Sequence, residues 1–153
     1  MLKLYIAIER RSWGALPYPP YEGESLWVEA LGDDLYRIDN TPVYVLDLSF
    51  GDVVRASRDA LTSQLIFQGV EKRSGHSTFR VIPNENMERS ADQLIQLLKS
   101  AWGCRTEVDP RGITALDVPS VDRDSANAIR GIIEGGVDEG VWSREIGCDS
   151  MPR

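Results

Sequence analysis

Several things are scarce in this chain of 153 residues, and each scarcity removes a class of chemistry. There is one histidine, His76, and there are two cysteines, Cys104 and Cys148. Ligands that few and that far apart offer no metal site of the zinc type, and no Asp-x-Asp-x-Asp-Gly loop offers one for calcium. No glycine-rich phosphate cradle is present, because Gly135-Gly136 and Gly140 follow a helical pattern instead of opening one. No serine stands in a nucleophile-elbow pattern. No cofactor is implied. No apolar run approaches the roughly 18 residues that a bilayer span requires. Bases are outnumbered, 17 against 24 acids, for a net charge of -7. That balance disfavours nucleic acid and anionic membrane as partners, since both want a Lys/Arg surface. Met1 to Glu9 alternates as a strand does and lacks a basic segment leading into an apolar one, so a cytoplasmic protein is expected. In that compartment the cysteines are expected to be free thiols, Cys104 buried and Cys148 exposed.

What is present divides into two patterns. The first is all-β: alternation at Lys3 to Ile8, an aromatic strand at Ser25 to Glu29, and further strands at Leu35–Ile38, Val43–Leu48, Val53–Ser57 and Leu65–Lys72. Gly, Pro and Asp turns separate them, which indicates a small antiparallel barrel or sandwich over residues 1–76. From Ser77 the period changes. A strand at Ser77–Ile82 precedes a helix carrying Met87, Ala91, Leu94, Leu98 and Ala101, capped by Asn84 or Asn86 and stopped at Gly103. Strands at Cys104–Val108 and Ile113–Val118 flank the turn Asp109-Pro110-Arg111-Gly112. A second helix, capped by Ser120 or Asp122, carries Ala126, Ile129 and Ile133 and ends at Gly135-Gly136. A short strand follows at Val141–Glu145. The order β-α-β-β-α-β predicts a ferredoxin-like half over 77–146, and the polar end, 147–153, reads as a flexible tail. The fold class is therefore α+β, and with no linker between them the halves should pack together.

Candidate chemistry is thin. His76 could act as a base for Ser74, Ser77 or Cys104 with Asp52 orienting it, but a structural histidine at a strand start explains it as well. Glu22 and Glu24 share a face of an extended segment and read as a solvated or capping pair. Tyr18-Pro19-Pro20-Tyr21 reads as a rigid turn that packs aromatics, ahead of a polyproline ligand. The acidic surplus lies in the second half, where residues 84–153 hold 13 acids against 8 bases. Asp122 and Asp124 suit a helix start, whereas Glu134, Asp138 and Glu139 stand near a helix end, where the macrodipole disfavours them.

Pro19-Pro20, Glu24-Ser25-Leu26-Trp27, Arg37-Ile38-Asp39-Asn40-Thr41-Pro42, Gly51-Asp52-Val53-Val54 and Ser74-Gly75-His76-Ser77-Thr78 form a distinctive set. As a set they resemble a bacterial family of small proteins that carries a domain-of-unknown-function label. The resemblance implies no activity and transfers no functional residue. Small size, acidity and the lack of a catalytic constellation lead to the expectation of a non-enzymatic immunity protein. It would bind a basic toxin domain through Asp122, Asp124, Glu134, Asp138 and Glu139. The alternatives are a regulatory module with a small ligand between the halves, and a hydrolase using His76.

Overall fold

The computed structural model describes residues 1–13 and 16–153. Strands β1 (Leu2–Ala7), β4 (Gly23–Gly32), β5 (Leu35–Ile38), β6 (Val53–Arg58) and β7 (Leu65–Lys72) close into a barrel. Alternation decides which side chains fill it. On β1 and β4, Leu4, Ile6, Leu26 and Val28 are buried while Lys3, Tyr5, Ser25 and Trp27 face out. Ile38, Val54, Ala56 and Leu65 complete the interior, with Val45 and Leu48 closing one end. Between β1 and β4 lies a separate hairpin, β2 (Arg11–Trp13) with β3 (Leu16–Tyr18), which sequence reading does not anticipate.

The segment from Val43 to Leu48, expected to be a strand, is irregular. Its apolar character is still used, since Tyr44, Val45 and Leu48 are buried. Its backbone is satisfied by side chains, Glu24 above all, in place of a ladder.

The second half holds four antiparallel strands in the order β11-β8-β10-β9, formed by β8 (Ser77–Pro83), β9 (Arg105–Val108), β10 (Thr114–Val118) and β11 (Trp142–Cys148). Helices α1 (Glu88–Trp102) and α2 (Arg123–Asp138) cover one face of this sheet. Phe79, Val81, Leu116 and Val118 point to the helices and meet Ala91, Ile95, Leu98, Ala126, Ile129 and Ile133. The barrel and its loops cover the other face. Both faces of β8 and β10 are thus shielded, so Thr78, Arg80 and Asp117 are buried although polar.

Helix ends depart from the sequence pattern in two ways. Neither Asn84 nor Asn86 caps α1: its N-cap is Met87, with no side-chain hydrogen bond. Gly103 stops it in the left-handed conformation as expected, at φ 71°. Asp122, not Ser120, caps α2 by accepting from the Ser125 N–H at 2.8 Å. That helix runs through Gly135-Gly136 to Asp138, because the indole of Trp142 lies against Gly136 and donates to the Ile133 carbonyl. The tail is a further correction. Gly147 and Cys148 extend β11, Met151 is buried in the helical core, and Arg130 grips Asp149 with two hydrogen bonds.

Candidate functional site

The motif residues converge where the barrel meets the four-stranded sheet. Glu24, on β4, accepts the backbone N–H groups of Val43, Tyr44 and Val45 at 2.7, 2.9 and 2.9 Å. Three amide donors on one carboxylate fix the crossing segment in place of a partner strand. Asn40 accepts the Trp27 N–H at 2.8 Å, tying that segment to β4. Asp52, which is buried, accepts from the Ser49 and Ser74 N–H groups and from Arg73. Ser49 and Thr78 share a hydrogen bond of 2.9 Å across the two halves.

Arg80 stands at the centre with no solvent exposure. Its guanidinium donates to Glu145 at 2.9 Å and to the carbonyls of Pro42 and Val45. Gly147 leaves the room it needs, since a Cβ there would lie 3.0 Å from the guanidinium carbon. Arg11 completes the group with Nε and Nη2 on the two oxygens of Glu145, each at 2.7 Å. Burial alone pushes the Glu145 carboxyl up, but the hydrogen bonds and charges of Arg11 and Arg80 outweigh it and hold the group below its ordinary value. Tyr18 donates to the same carboxylate, and burial beside that anion pushes its phenol up. Tyr18 also stacks edge-on against Trp13, with ring centroids 5.2 Å apart, so the proline-rich segment supplies packing at this junction.

His76 is held by a buried carboxylate, but this is Asp117, where sequence reading expects Asp52 or backbone groups. Its Nδ1 lies 2.7 Å from Asp117, which also receives Arg105. Phe50 fills the space between, with its ring 5.4 Å from the imidazole and 4.0 Å from the Arg105 guanidinium. A donating Nδ1 leaves Nε2 as the acceptor of the neutral ring. The groups proposed as nucleophiles are occupied elsewhere. Ser74 Oγ donates to the Phe50 carbonyl, and Ser77 Oγ accepts the Ser150 N–H. Burial pushes the Cys104 thiol up to about 11, so it is protonated at neutral pH. Asp52, the expected orienting group, belongs to the Ser49–Ser74 network. Among the described residues no group of three or more His, Cys, Asp or Glu side chains could hold a metal ion.

The five acids do not form one cluster. A helix of 16 residues rises about 24 Å, which sets Asp122 and Asp124 at one end of α2 and Asp138 and Glu139 at the other. Glu134 is explained internally, since Arg144 binds it at 2.5 Å. Near the far end, Asn84 donates to the carbonyls of Val141 and Gly140, each at 2.9 Å. That contact carries Glu85 and Glu88 to the same end of the helical layer as Asp138 and Glu139. All four are exposed and form no salt bridge among the described residues. Glu85 and Glu88 escaped sequence reading because only the fold brings the start of α1 beside the end of α2.

A cavity of about 330 Å³ opens in the barrel wall between β1, β7 and the Val45–Leu48 segment, and a smaller one of about 150 Å³ lies between the halves, lined by Asn40, Phe50, Arg105 and Glu107 among others.

Residues 24–144 match a domain of unknown function, DUF4265. The chain belongs to this family. The DUF4265 stretch opens on Glu24 and takes in Asp52, His76, Arg80 and Asp117, while Arg11, Tyr18 and Glu145 of the junction lie outside it. No curated protein matches the chain. A crystal structure of a hypothetical protein from Neisseria gonorrhoeae is similar over 97% of this chain and 96% of its own, with a TM-score of 0.74 and 15% identity. At that identity the likeness concerns the fold alone.

Proposed function

We propose that this DUF4265 protein is a non-enzymatic binding protein, an immunity protein that neutralises a cognate bacterial toxin by covering a basic surface in the cytoplasm. The observation that carries the reading is the acidic end of the helical layer. Glu85, Glu88, Asp138 and Glu139 come from segments about 50 residues apart, and none is neutralised by a neighbour. Unpaired like charges gathered on one surface repel one another, and a basic partner relieves that repulsion while steering encounter. The helical layer belongs to a half that we infer to be ferredoxin-like, a reading supported by its β-α-β-β-α-β succession and by the strand order β11-β8-β10-β9. Asp122 and Asp124 take a lesser part, being committed to the start of α2. No helix among the described residues is long and apolar enough to cross a membrane.

The test is growth rescue. The C-terminal region of the product of the adjacent upstream reading frame is induced in a test bacterium with and without this chain. The expected result is toxicity relieved by co-expression, a stable complex on co-purification, and loss of both with Asp138→Lys and Glu139→Lys combined. Toxicity without rescue sinks the immunity reading. Rescue that survives the charge reversal sinks the proposed face.

A further inference from the structure

We propose that the seam between β1 and β7 accepts an extended basic segment of a partner protein, which adds a short strand to β1. The inference takes the charge of the partner from the proposed function, but neither its identity nor the acidic face.

The barrel is closed less completely at this seam than elsewhere. β1 pairs with β4 along its whole length, from Leu2 opposite Val28 to Ala7 opposite Gly23. Its parallel pairing with β7 stops after Leu4 opposite Leu65 and Tyr5 opposite Ile66. The Ile8 N–H bonds the Glu22 carbonyl, so even-numbered residues turn their backbone groups to β4. Ala7 therefore turns its groups to the seam, past the last β7 partner, while the Glu9 carbonyl accepts from Arg11. The cause of the divergence lies in β7. Its register against β6 shifts between Ala56–Phe67 and Arg55–Gly69, and again between Val54–Val70 and Val53–Lys72. Gln68 and Glu71 are the extra residues, and such bulges bend a strand away from its neighbour.

Space lies on both sides of the opened seam. Inside is the cavity of about 330 Å³, walled by Ile6, Ile8, Leu46, Leu48, Phe67 and Val70. Outside is a groove of about 440 Å³ at Tyr5, Ala7 and Ile66. An added strand sends alternate side chains to opposite faces, which suits one apolar space on each side. Tyr5, Leu46 and Ile66 are large apolar groups left 38, 38 and 44% exposed here.

Charge selects the occupant. Arg11 and Arg73 line the inner cavity, Arg11 sharing Glu145 with Arg80 and Arg73 pairing with Asp52. Glu9 and Asp47 line it too, are exposed, and form no salt bridge among the described residues. Glu9 and Asp47 are thus the two carboxylates at the mouth left without a salt bridge, and a segment bearing Lys or Arg beside its apolar residues fits them. The three residues from Ala7 to Glu9 span about 10 Å, room for roughly three added residues.

A displayed library of random nonapeptides, panned on the full chain, tests this. Enriched peptides should alternate apolar with polar positions and carry Lys or Arg. A synthetic copy should lose at least tenfold in affinity when alternate amides on its β1-facing edge are N-methylated, and as much against Ile66→Lys. The Ala7 amide should gain hydrogen-exchange protection on binding. Failure to enrich any sequence overturns the proposal. So does enrichment of acidic peptides, or affinity unchanged by N-methylation. A concentration-dependent dimer abolished by Ile66→Lys overturns it in favour of a second copy as occupant. Growth rescue that survives Ile66→Lys and follows Asp138 and Glu139 removes the seam while the acidic face stands.

Discussion

Charges buried between the two halves and charges on the helical layer are arranged on opposite terms. At the junction every ion has a partner: Arg80 and Arg11 converge on Glu145, Glu24 holds three amides, and Asp52 holds two amides and Arg73. No buried side-chain polar atom among the described residues lacks a hydrogen bond. On the helical layer Glu85, Glu88, Asp138 and Glu139 are exposed and unpaired. Desolvation makes the difference. A buried ion without a partner costs several kcal/mol and is not tolerated, while water stabilises a surface carboxylate at little cost. A network satisfied inside the molecule has nothing left to offer a partner. A surface left unsatisfied does.

The comparison breaks most visibly at Arg80. Arg80→Ala removes one of the two arginines on Glu145, empties a buried site and leaves the Pro42 and Val45 carbonyls without donors, at a cost of about 3–5 kcal/mol. Chemical denaturation should register it, and a loss below about 1 kcal/mol would deny the junction its structural role. The same network sets an acid limit. Glu145 titrates below its ordinary value in the folded state, so its contribution is complete above the usual carboxylate range and is lost as pH falls through the lower, folded value. Stability should therefore drop on acidification, and Glu145→Gln should flatten that part of the profile while lowering stability at neutral pH.

Within the helical layer, two glycines of α2 separate packing from propensity. A Cβ on Gly136 would lie 2.5 Å from Nε1 of Trp142, a buried ring fixed by its bond to the Ile133 carbonyl. Gly136→Ala is expected to destabilise by about 1–2 kcal/mol, the overpacking exceeding the gain in helix propensity. Gly131 faces open space, with nothing within 4 Å. Gly131→Ala should stabilise by about 0.5–1 kcal/mol. Thermal melts of the two variants moving the same way would refute the assigned contact.

Much of the fold was legible where a local rule acted alone. Alternation identified β1 and β4 to β7, and Leu65–Lys72 falls as expected to the residue. Gly103 and Asp122 mark helix ends by backbone and capping chemistry. What was missed depends on distant partners. Val43–Leu48 has strand composition, but Glu24 claims its amides. Gly135-Gly136 has the look of a stop, but Trp142 packs on it. The polar tail is anchored because Met151 finds the helical core and Arg130 finds Asp149. The motif residues stood out in the sequence, yet their purpose needed the fold: Glu24 and Asp52 fix the loops of the first half, and Thr78 bonds Ser49 and Leu48 across the two halves. The pairing of His76 with Asp117 joins residues 41 positions apart and left no sequence signal. Of the five acids singled out, Asp138 and Glu139 remain as an unpaired pair, and Glu85 and Glu88 join them only through the contact of Asn84 with Gly140 and Val141.

The smallest expected effect on stability is the most informative about function. Asp138→Lys with Glu139→Lys removes like-charge repulsion at the end of the helical layer and breaks no bond described there. Exposed charges of this kind contribute within about 0.5 kcal/mol, so the melting temperature should stay nearly unchanged. Cations at a helix C-terminus also favour the macrodipole, which sets the sign of any residual change as stabilising. A protein kept acids where bases would serve its own fold slightly better, and recognition is the physical reason offered for that choice. Binding to a basic partner should then fall while stability holds or rises, and the loss should shrink as ionic strength increases, because screening weakens attraction between exposed charges. A destabilisation above 1 kcal/mol would show instead that these carboxylates serve the fold, and the contrast between the two regions would fail at that point.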